Sequence, residues 1–242
     1  MSRARNLSRF KPSTTGLIAN ANIASSAAIA KTKLASLDIV NADINASAAI
    51  AATKVASDFA LIHTIDASNQ AAVTFTSSHI TDTYMDYKIT VRYYVPVTNG
   101  QSLFIHPSVD NGSNYNVFIE QHVQYHDMKG SLAQGNDAAN GNSQAKIQIG
   151  AGTENTANKG MSAEIYLMGL RQTTGLKAMY YNAFNAHDAD GGHNTGNDYW
   201  WNGGAKIIGT SNSDRTAINN LKFTASSGNI NAGKFSLYGI KS

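Results

Sequence analysis

The sequence contains no cysteine, which excludes disulfide bonds, thiolate catalysis and cysteine-based zinc sites. It is also poor in proline, with three residues, and only 14% of its residues are charged, against about 25% in an average soluble protein. No segment approaches the roughly 18 apolar residues that span a bilayer, so no membrane insertion is expected. The N-terminus has no continuous apolar region and is not expected to act as a secretory signal. Without disulfides, a protein that survives outside a cell needs another source of stability, and oligomerisation supplies one.

A cluster of positive charge marks the first residues of the chain. The cluster contains Arg3, Arg5, Arg9 and Lys11. Such an arm binds either phosphate-rich surfaces or an acidic partner protein, and the second interpretation is preferred here. The rest of the chain has no basic stripe with interleaved aromatic residues, so nucleic acid is not an expected partner.

An internal repeat follows the arm. Residues 17–37 and 38–58 align at an offset of 21 residues, and 13 of the 21 positions are identical. Between Leu17 and Ser57 there is no glycine, proline or aromatic residue, so this segment cannot form a core by itself. A fixed period means that each unit makes the same contacts in turn.

The repeat predicts a stalk that becomes ordered by packing with copies of itself. Part of the pattern keeps a helical seam spacing, and Ser26 and Ser47 are expected to cap short helices that end near Ala35 and Ala56. The stretch between these helices is expected to be extended. A disordered linker is the alternative, but a linker has no need to keep its isoleucines in register. The residues expected to make the contacts between chains are Ile18, Ile23, Ile29, Leu34, Ile39, Ile44, Ile50 and Val55.

From residue 59 onward the pattern changes to short alternating segments. The clearest is Met85–Val97, in which every second residue is apolar, as in a half-buried strand. Turns rich in glycine, asparagine and aspartate separate this segment from similar ones around residues 105, 119, 148, 165, 179, 207, 222 and 236. About ten short strands without a convincing long helix predict a mainly β protein with an antiparallel, jelly-roll-like β-sandwich.

Two motifs resemble known proteins. The repeat core Asp43–Val55, DINASAAIAATKV, resembles the units found in tail fibres and related virion proteins of tailed phages, notably those of cyanobacteria. The run Gly228–Ile240, GNINAGKFSLYGI, resembles the end of the β-rich heads of the same proteins, and Asp110–Tyr115, DNGSNY, resembles one of their strand-turn segments.

The resemblance implies a homotrimer that is a structural part of the virion, without enzymatic activity or a cofactor. Residues 1–16 would dock onto other virion proteins, residues 17–58 would trimerise, and residues 59–242 would form a head that attaches to the host surface. Because the stalk has only two repeats, a short tail or baseplate fibre is expected. A protein that decorates the capsid is the second hypothesis, and a glycan-degrading enzyme is the third.

Few residues suggest chemistry of their own. Tyr199, Trp200 and Trp201 are candidates for binding a host polysaccharide, because aromatic rings stack on sugar faces, although alternate members would point into the sandwich. His122 and His126 have the spacing of a helical metal site but lie in a strand-like region. Asp188 and Asp190 resemble the start of a calcium loop whose later ligands are missing. No metal site and no catalytic residue are therefore predicted.

Overall fold

The computed structural model describes residues 58–127, 146–156, 159–186, 199–211 and 214–241. The chain divides into two units, residues 1–50 and 51–242, and the described residues all belong to the second. The predicted arm and the predicted trimer contacts from Ile18 to Val55 lie outside the described residues. Within the described ranges there is no helix, and therefore none that could cross a membrane.

The described residues form eleven β-strands. In chain order, they are β1 (Phe59–Gln70), β2 (Val73–Phe75), β3 (Asp86–Pro96), β4 (Gln101–Ser108), β5 (Phe118–Asp127), β6 (Ile147–Thr153), β7 (Met161–Met168), β8 (Lys177–Asn185), β9 (Tyr199–Gly209), β10 (Asn220–Ala225) and β11 (Ile230–Ile240). This confirms the prediction of a mainly β protein.

Two antiparallel sheets account for all eleven strands. The larger has the order β1-β11-β3-β7-β8-β9-β5, and the smaller has the order β2-β10-β4-β6. Their facing sides share one core of buried apolar residues. Phe223 of the smaller sheet is central to this core, with its ring centroid 6.1 Å from that of Phe75 and 5.2 Å from that of Phe235 in the larger sheet. The architecture is therefore that of an antiparallel sandwich.

Polar side chains also connect the two sheets. Gln121 on β5 accepts a hydrogen bond from the backbone N–H of Gln148 on β6 and donates one to its carbonyl oxygen. Asn185 on β8 donates to the carbonyl oxygen of Ala151 at 2.8 Å. Because both side chains are buried, these bonds satisfy groups whose desolvation would otherwise be costly.

The alternation predicted for Met85–Val97 is present in the middle of the segment and is lost toward its end. Tyr87, Ile89 and Val91 are buried as predicted, but Tyr93 is 42% exposed, and Met85 and Val97 are also exposed. A bulge at Arg92 and Tyr93 shifts the register against β7, so that Tyr94 takes the next buried position. Tyr93 adopts a left-handed backbone with φ of 57°.

Two of the glycine- and asparagine-rich segments that the sequence predicts as turns, residues 150–160 and 226–233, belong partly to strands. The segment 150–160 begins with the last residues of β6, which extends to Thr153, and the segment 226–233 ends in β11, which begins at Ile230. Gly150 pairs with Leu103 on β4, and Ala232 pairs with Val95 on β3, and register shifts lie next to both of these pairs.

The motif Asp110–Tyr115 builds an ordered turn. The Asp110 carboxylate accepts hydrogen bonds from the backbone N–H of Asn114, the Asn114 side chain and the Ser108 hydroxyl, and these bonds lower the pKa of Asp110 to about 2. Gly112 has φ of 85°, and a side chain there would meet Asn220 and Tyr115. The residues of this motif therefore have a structural role in closing the end of the smaller sheet.

Candidate functional site

The outward face of the larger sheet carries the candidate site, and the aromatic triplet on β9 leads to it. Trp201 is 7% exposed and belongs to the core, and Tyr199 packs against the core. Trp200 points the other way and is 46% exposed. Because side chains alternate along a strand, Trp200 is the member of the triplet that can contact a ligand on this face.

A row of polar side chains crosses the same face. Thr90 on β3 pairs with Glu164 on β7, Glu164 pairs with Asn182 on β8, and Asn182 pairs with Asn202 on β9. Cross-strand neighbours of this kind lie about 5 Å apart. The four side chains are named the polar row below.

Aromatic residues flank the polar row on both sides. On one side, Tyr166 and Tyr180 stack with their ring centroids 4.7 Å apart and an angle of 6° between the rings. On the other side, Phe184 and Trp200 are register partners on β8 and β9. The indole N–H of Trp200 donates to the side-chain oxygen of Asn202 at 3.0 Å, which fixes the orientation of the ring.

A surface groove of about 420 Å³ lies between the polar row and the Phe184–Trp200 pair. Its lining includes three members of the polar row, Thr90, Glu164 and Asn182, together with Arg92 on β3 and Ser162 on β7. A lining that combines aromatic rings with a few polar side chains is usual in sites that bind polar organic ligands. This feature is called the groove below.

One carboxylate and one lysine dominate the charge at the edge of the groove. Lys88 and Glu164 form an ion pair at 2.9 Å, and the Lys88 ammonium lies 5.0 Å from the centre of the Tyr166 ring. Burial disfavours the charge on Lys88, but hydrogen bonds to Glu164 and Tyr166 outweigh this effect and raise the pKa of Lys88. Lys88 therefore keeps its positive charge near neutral pH.

Arg92 lies on the outward face of β3, two residues after Thr90, and lines the groove beside a bulge. At this bulge two successive residues, Arg92 and Tyr93, face solvent. Opposite the bulge, Gly233 on β11 has φ of 147°, and the backbone N–H of Tyr93 donates to the Ser162 hydroxyl. Bulges beside functional sites commonly redirect a side chain, and here the redirected side chain is that of Tyr93, which becomes exposed directly after Arg92.

The structure does not bring together the other residues that the sequence analysis considered as metal ligands. His122 and His126 both lie on β5, and four residues along a strand span about 13 Å, which is too far for one metal ion. His122 is exposed. Asp188 and Asp190 lie outside the described residues. Within the described ranges, no group of three or more histidine, cysteine or acidic side chains is close enough to hold a metal ion.

Two histidines that showed no pattern in the sequence are in contact. The rings of His63 on β1 and His79 after β2 stack at 4.2 Å. Nδ1 of His79 accepts a hydrogen bond from the backbone N–H of Thr76 at 3.2 Å, and that bond requires an unprotonated nitrogen. Burial and the neighbouring His63 lower the pKa of His79.

This contact predicts a loss of stability in acid. Because the pKa of His79 is lower in the folded protein than in the unfolded chain, its contribution is present above a pH of about 6.5 and is lost as the pH falls below that value. Urea unfolding at pH 7.5 and pH 5.5 should give a smaller difference for His79→Gln than for the wild type. His63→Phe, which keeps a ring but removes the second charge, should lie between them. An equal difference in all three proteins would contradict this explanation.

Comparison with protein-family models, curated proteins and solved structures gives no match to this chain. Any assignment of function therefore depends on the residues and the geometry of the chain itself.

Proposed function

We propose that this chain is a non-enzymatic structural protein of a phage virion, a short tail or baseplate fibre that forms a homotrimer and attaches to the host surface through its head. The groove on the larger sheet carries the attachment part of this proposal. It presents Trp200 and Phe184 to solvent beside a row of polar side chains, which is suited to adhesion. The two 21-residue repeats support the fibre part.

A jelly-roll topology for the head is part of the proposal. The strand orders β1-β11-β3-β7 and β2-β10-β4-β6 support it, because strands β1 to β7 alternate between the two sheets and β10 and β11 return to the smaller and the larger sheet in turn. Strands β5, β8 and β9 extend one sheet beyond these eight strands. Viral capsid proteins and lectins commonly use jelly rolls, so the topology suits both a virion protein and a sugar-binding head.

Apolar surface near the start of β1 supports the homotrimer. Leu61 is 59% exposed, and Phe59 next to it is also exposed. Both point to the outward face of the larger sheet, where Leu61 pairs with Tyr238 and Phe59 pairs with Ile240. These residues directly follow the repeat, so contacts between three stalks would bring three copies of this apolar surface close together. Large exposed apolar patches usually mark contacts of this kind.

The ion pair at the groove supports binding without cleavage. Glycoside hydrolysis generally uses two carboxyl groups on either side of the scissile bond. Among the described residues that line the groove, Glu164 is the only carboxylate, and it is paired with Lys88. A glycan would therefore bind here without the pair of acids that hydrolysis requires.

Decoration of the capsid is the second candidate function, and the length of the repeat favours it. Two repeats give little reach, so the same head would also suit a knob on the shell, with the basic arm docked among capsid subunits. Labelling the protein on intact particles and imaging them would separate the two locations. Label at the tail supports the fibre, and label over the shell supports decoration.

The trimer is tested by light scattering on the full chain at micromolar concentration. We expect a mass near three times 25.8 kDa. Ile23→Asp combined with Ile44→Asp places charges at expected contacts between chains and should give a monomer whose head keeps its β-type circular dichroism. Asn22→Asp combined with Asn45→Asp adds the same charge one position away and should remain trimeric. A monomeric wild type would overturn the proposed homotrimer.

A further inference from the structure

We propose that the groove binds an acidic polysaccharide, with Trp200 and Phe184 stacked on sugar rings and Arg92 paired with a carboxylate of the sugar chain. This inference rests on the proposed function, because it names the class of ligand that the head would hold. The groove extends over four strands, β9, β8, β7 and β3, which are adjacent in the larger sheet.

The aromatic pair gives the first part of the argument. Trp200 and Phe184, 36% exposed, sit side by side on neighbouring strands of the outward face. The hydrogen bond from the indole to Asn202 holds the Trp200 ring in place before a ligand arrives. A fixed aromatic face loses little conformational entropy on binding and is suited to stack on the C–H face of a pyranose.

The polar row gives the second part. Among the described residues, the side chains of Thr90 and Asn182 make no hydrogen bond, although both line the groove. A hydroxyl can donate and accept, and a carboxamide has two donor hydrogens and an acceptor oxygen. These groups match the hydroxyls of a sugar chain. If an apolar partner covered them, they would be left unsatisfied, at a cost in free energy.

The charges give the third part. Lys88 is paired with Glu164, and Lys234 is paired with Asp66 at 3.0 Å. Within the described residues Arg92 makes no ion pair, so it supplies an uncompensated positive charge at the end of the groove. The planar guanidinium binds a carboxylate through two parallel hydrogen bonds. The charge and the geometry therefore favour a carboxylated sugar over a neutral one.

The backbone and the strand spacing agree with this ligand. Tyr93 keeps its left-handed backbone at a cost in conformational energy, and the bulge exposes Tyr93 directly after Arg92 at the end of the groove. From β9 to β3 there are three strand spacings, about 14 Å in total. The repeat of a pyranose chain is close to one strand spacing, so a trisaccharide would reach from Trp200 to Arg92.

The experiment measures the retardation of the full-length protein in native gels that contain soluble polysaccharides. Polygalacturonate, alginate and hyaluronan are the carboxylated probes, and dextran is the neutral one. We expect at least one carboxylated probe to retard the wild type and dextran to have little effect. Trp200→Ala should weaken the binding on the order of tenfold or more, as expected for one stacked ring.

Two variants of basic residues test the role of the charge. Arg92→Gln should weaken binding to the carboxylated probe about tenfold, and added salt should reduce the difference from the wild type because ions screen exposed charges. Lys234→Gln is the matched control, since Lys234 is the neighbour of Arg92 in the sheet but is already paired with Asp66. It should bind nearly as well as the wild type.

Three results would overturn the inference. The first is that none of the three carboxylated probes retards the protein. The others are that dextran retards it equally, or that Trp200→Ala binds as well as the wild type. Light scattering on Trp200→Ala separates a further case: loss of the trimer would mean that another copy of the chain covers this face. The proposed fibre would still stand after any of these results if the wild type is trimeric and is located at the phage tail.

Discussion

Phe223→Ala is expected to lower the free energy of unfolding of the head by about 3–5 kcal/mol, the usual loss when a buried phenylalanine is truncated. The Phe223 side chain is fully buried. Its ring lies between Phe75, at 6.1 Å in an edge arrangement, and Phe235, at 5.2 Å on the opposite sheet. The substitution therefore removes contacts within one sheet and between the two sheets.

Urea unfolding of the full chain, followed by circular dichroism in the β region, measures this loss. Phe184→Ala is the matched control, because it is the same substitution on the outward face, where the ring is already partly in water. We expect it to cost about 1 kcal/mol or less, in line with other surface changes. Similar losses for the two variants would contradict the placement of Phe223 at the junction of the sheets.

The sequence predicted best those stretches of strand in which buried and outward-facing residues alternate without a break. Ile147 and Ile149 on β6, and Ala163, Ile165 and Leu167 on β7, alternate without interruption and are buried as the pattern predicts. β3 begins in the same way, but its bulge depends on Gly233 and Ser162 in partner strands. Alternation within one segment contains no information about these partners, so the exposure of Tyr93 could not be predicted.

β1 was not predicted because apolar residues occupy both of its faces. Phe59 and Leu61 are exposed, whereas Ile62 and Ile65 pack against the core. A register shift between Leu61 and His63 interrupts the alternation further. A strand at the edge of a sheet that also has an apolar outer face gives no clear period of two.

The groove is only partly visible in the sequence. Adjacent aromatic residues pointed to the triplet 199–201, but strand alternation alone left open whether Trp200 or its two neighbours would face the core. The other groove residues, Thr90, Arg92, Glu164 and Asn182, come from β3, β7 and β8, which are distant along the chain. Their proximity follows from the strand order of the larger sheet, which the positions of the strands in the sequence do not determine.

Gly203→Ala is expected to destabilise the head by about 1–3 kcal/mol, as overpacking of a core usually does. Gly203 lies on the inner side of β9 opposite Tyr181, and a side chain there would clash with the Tyr181 ring. The ring is almost completely buried and cannot move into solvent. Its hydroxyl also lies 3.4 Å from the side-chain nitrogen of Gln121, the residue that links the two sheets through Gln148.

The next residue provides a matched control for the same measurement. Gly204 faces outward, and a side chain there would meet only the backbone oxygen of Met179, at 3.3 Å. Gly204→Ala also restricts the unfolded chain to the same degree, so the effect on the unfolded state cancels in the comparison. If urea unfolding gave equal stability for the two variants, Tyr181 would not occupy the space above Gly203. A larger loss for Gly203→Ala would mean that this glycine allows the buried tyrosine and the polar link between the sheets to coexist.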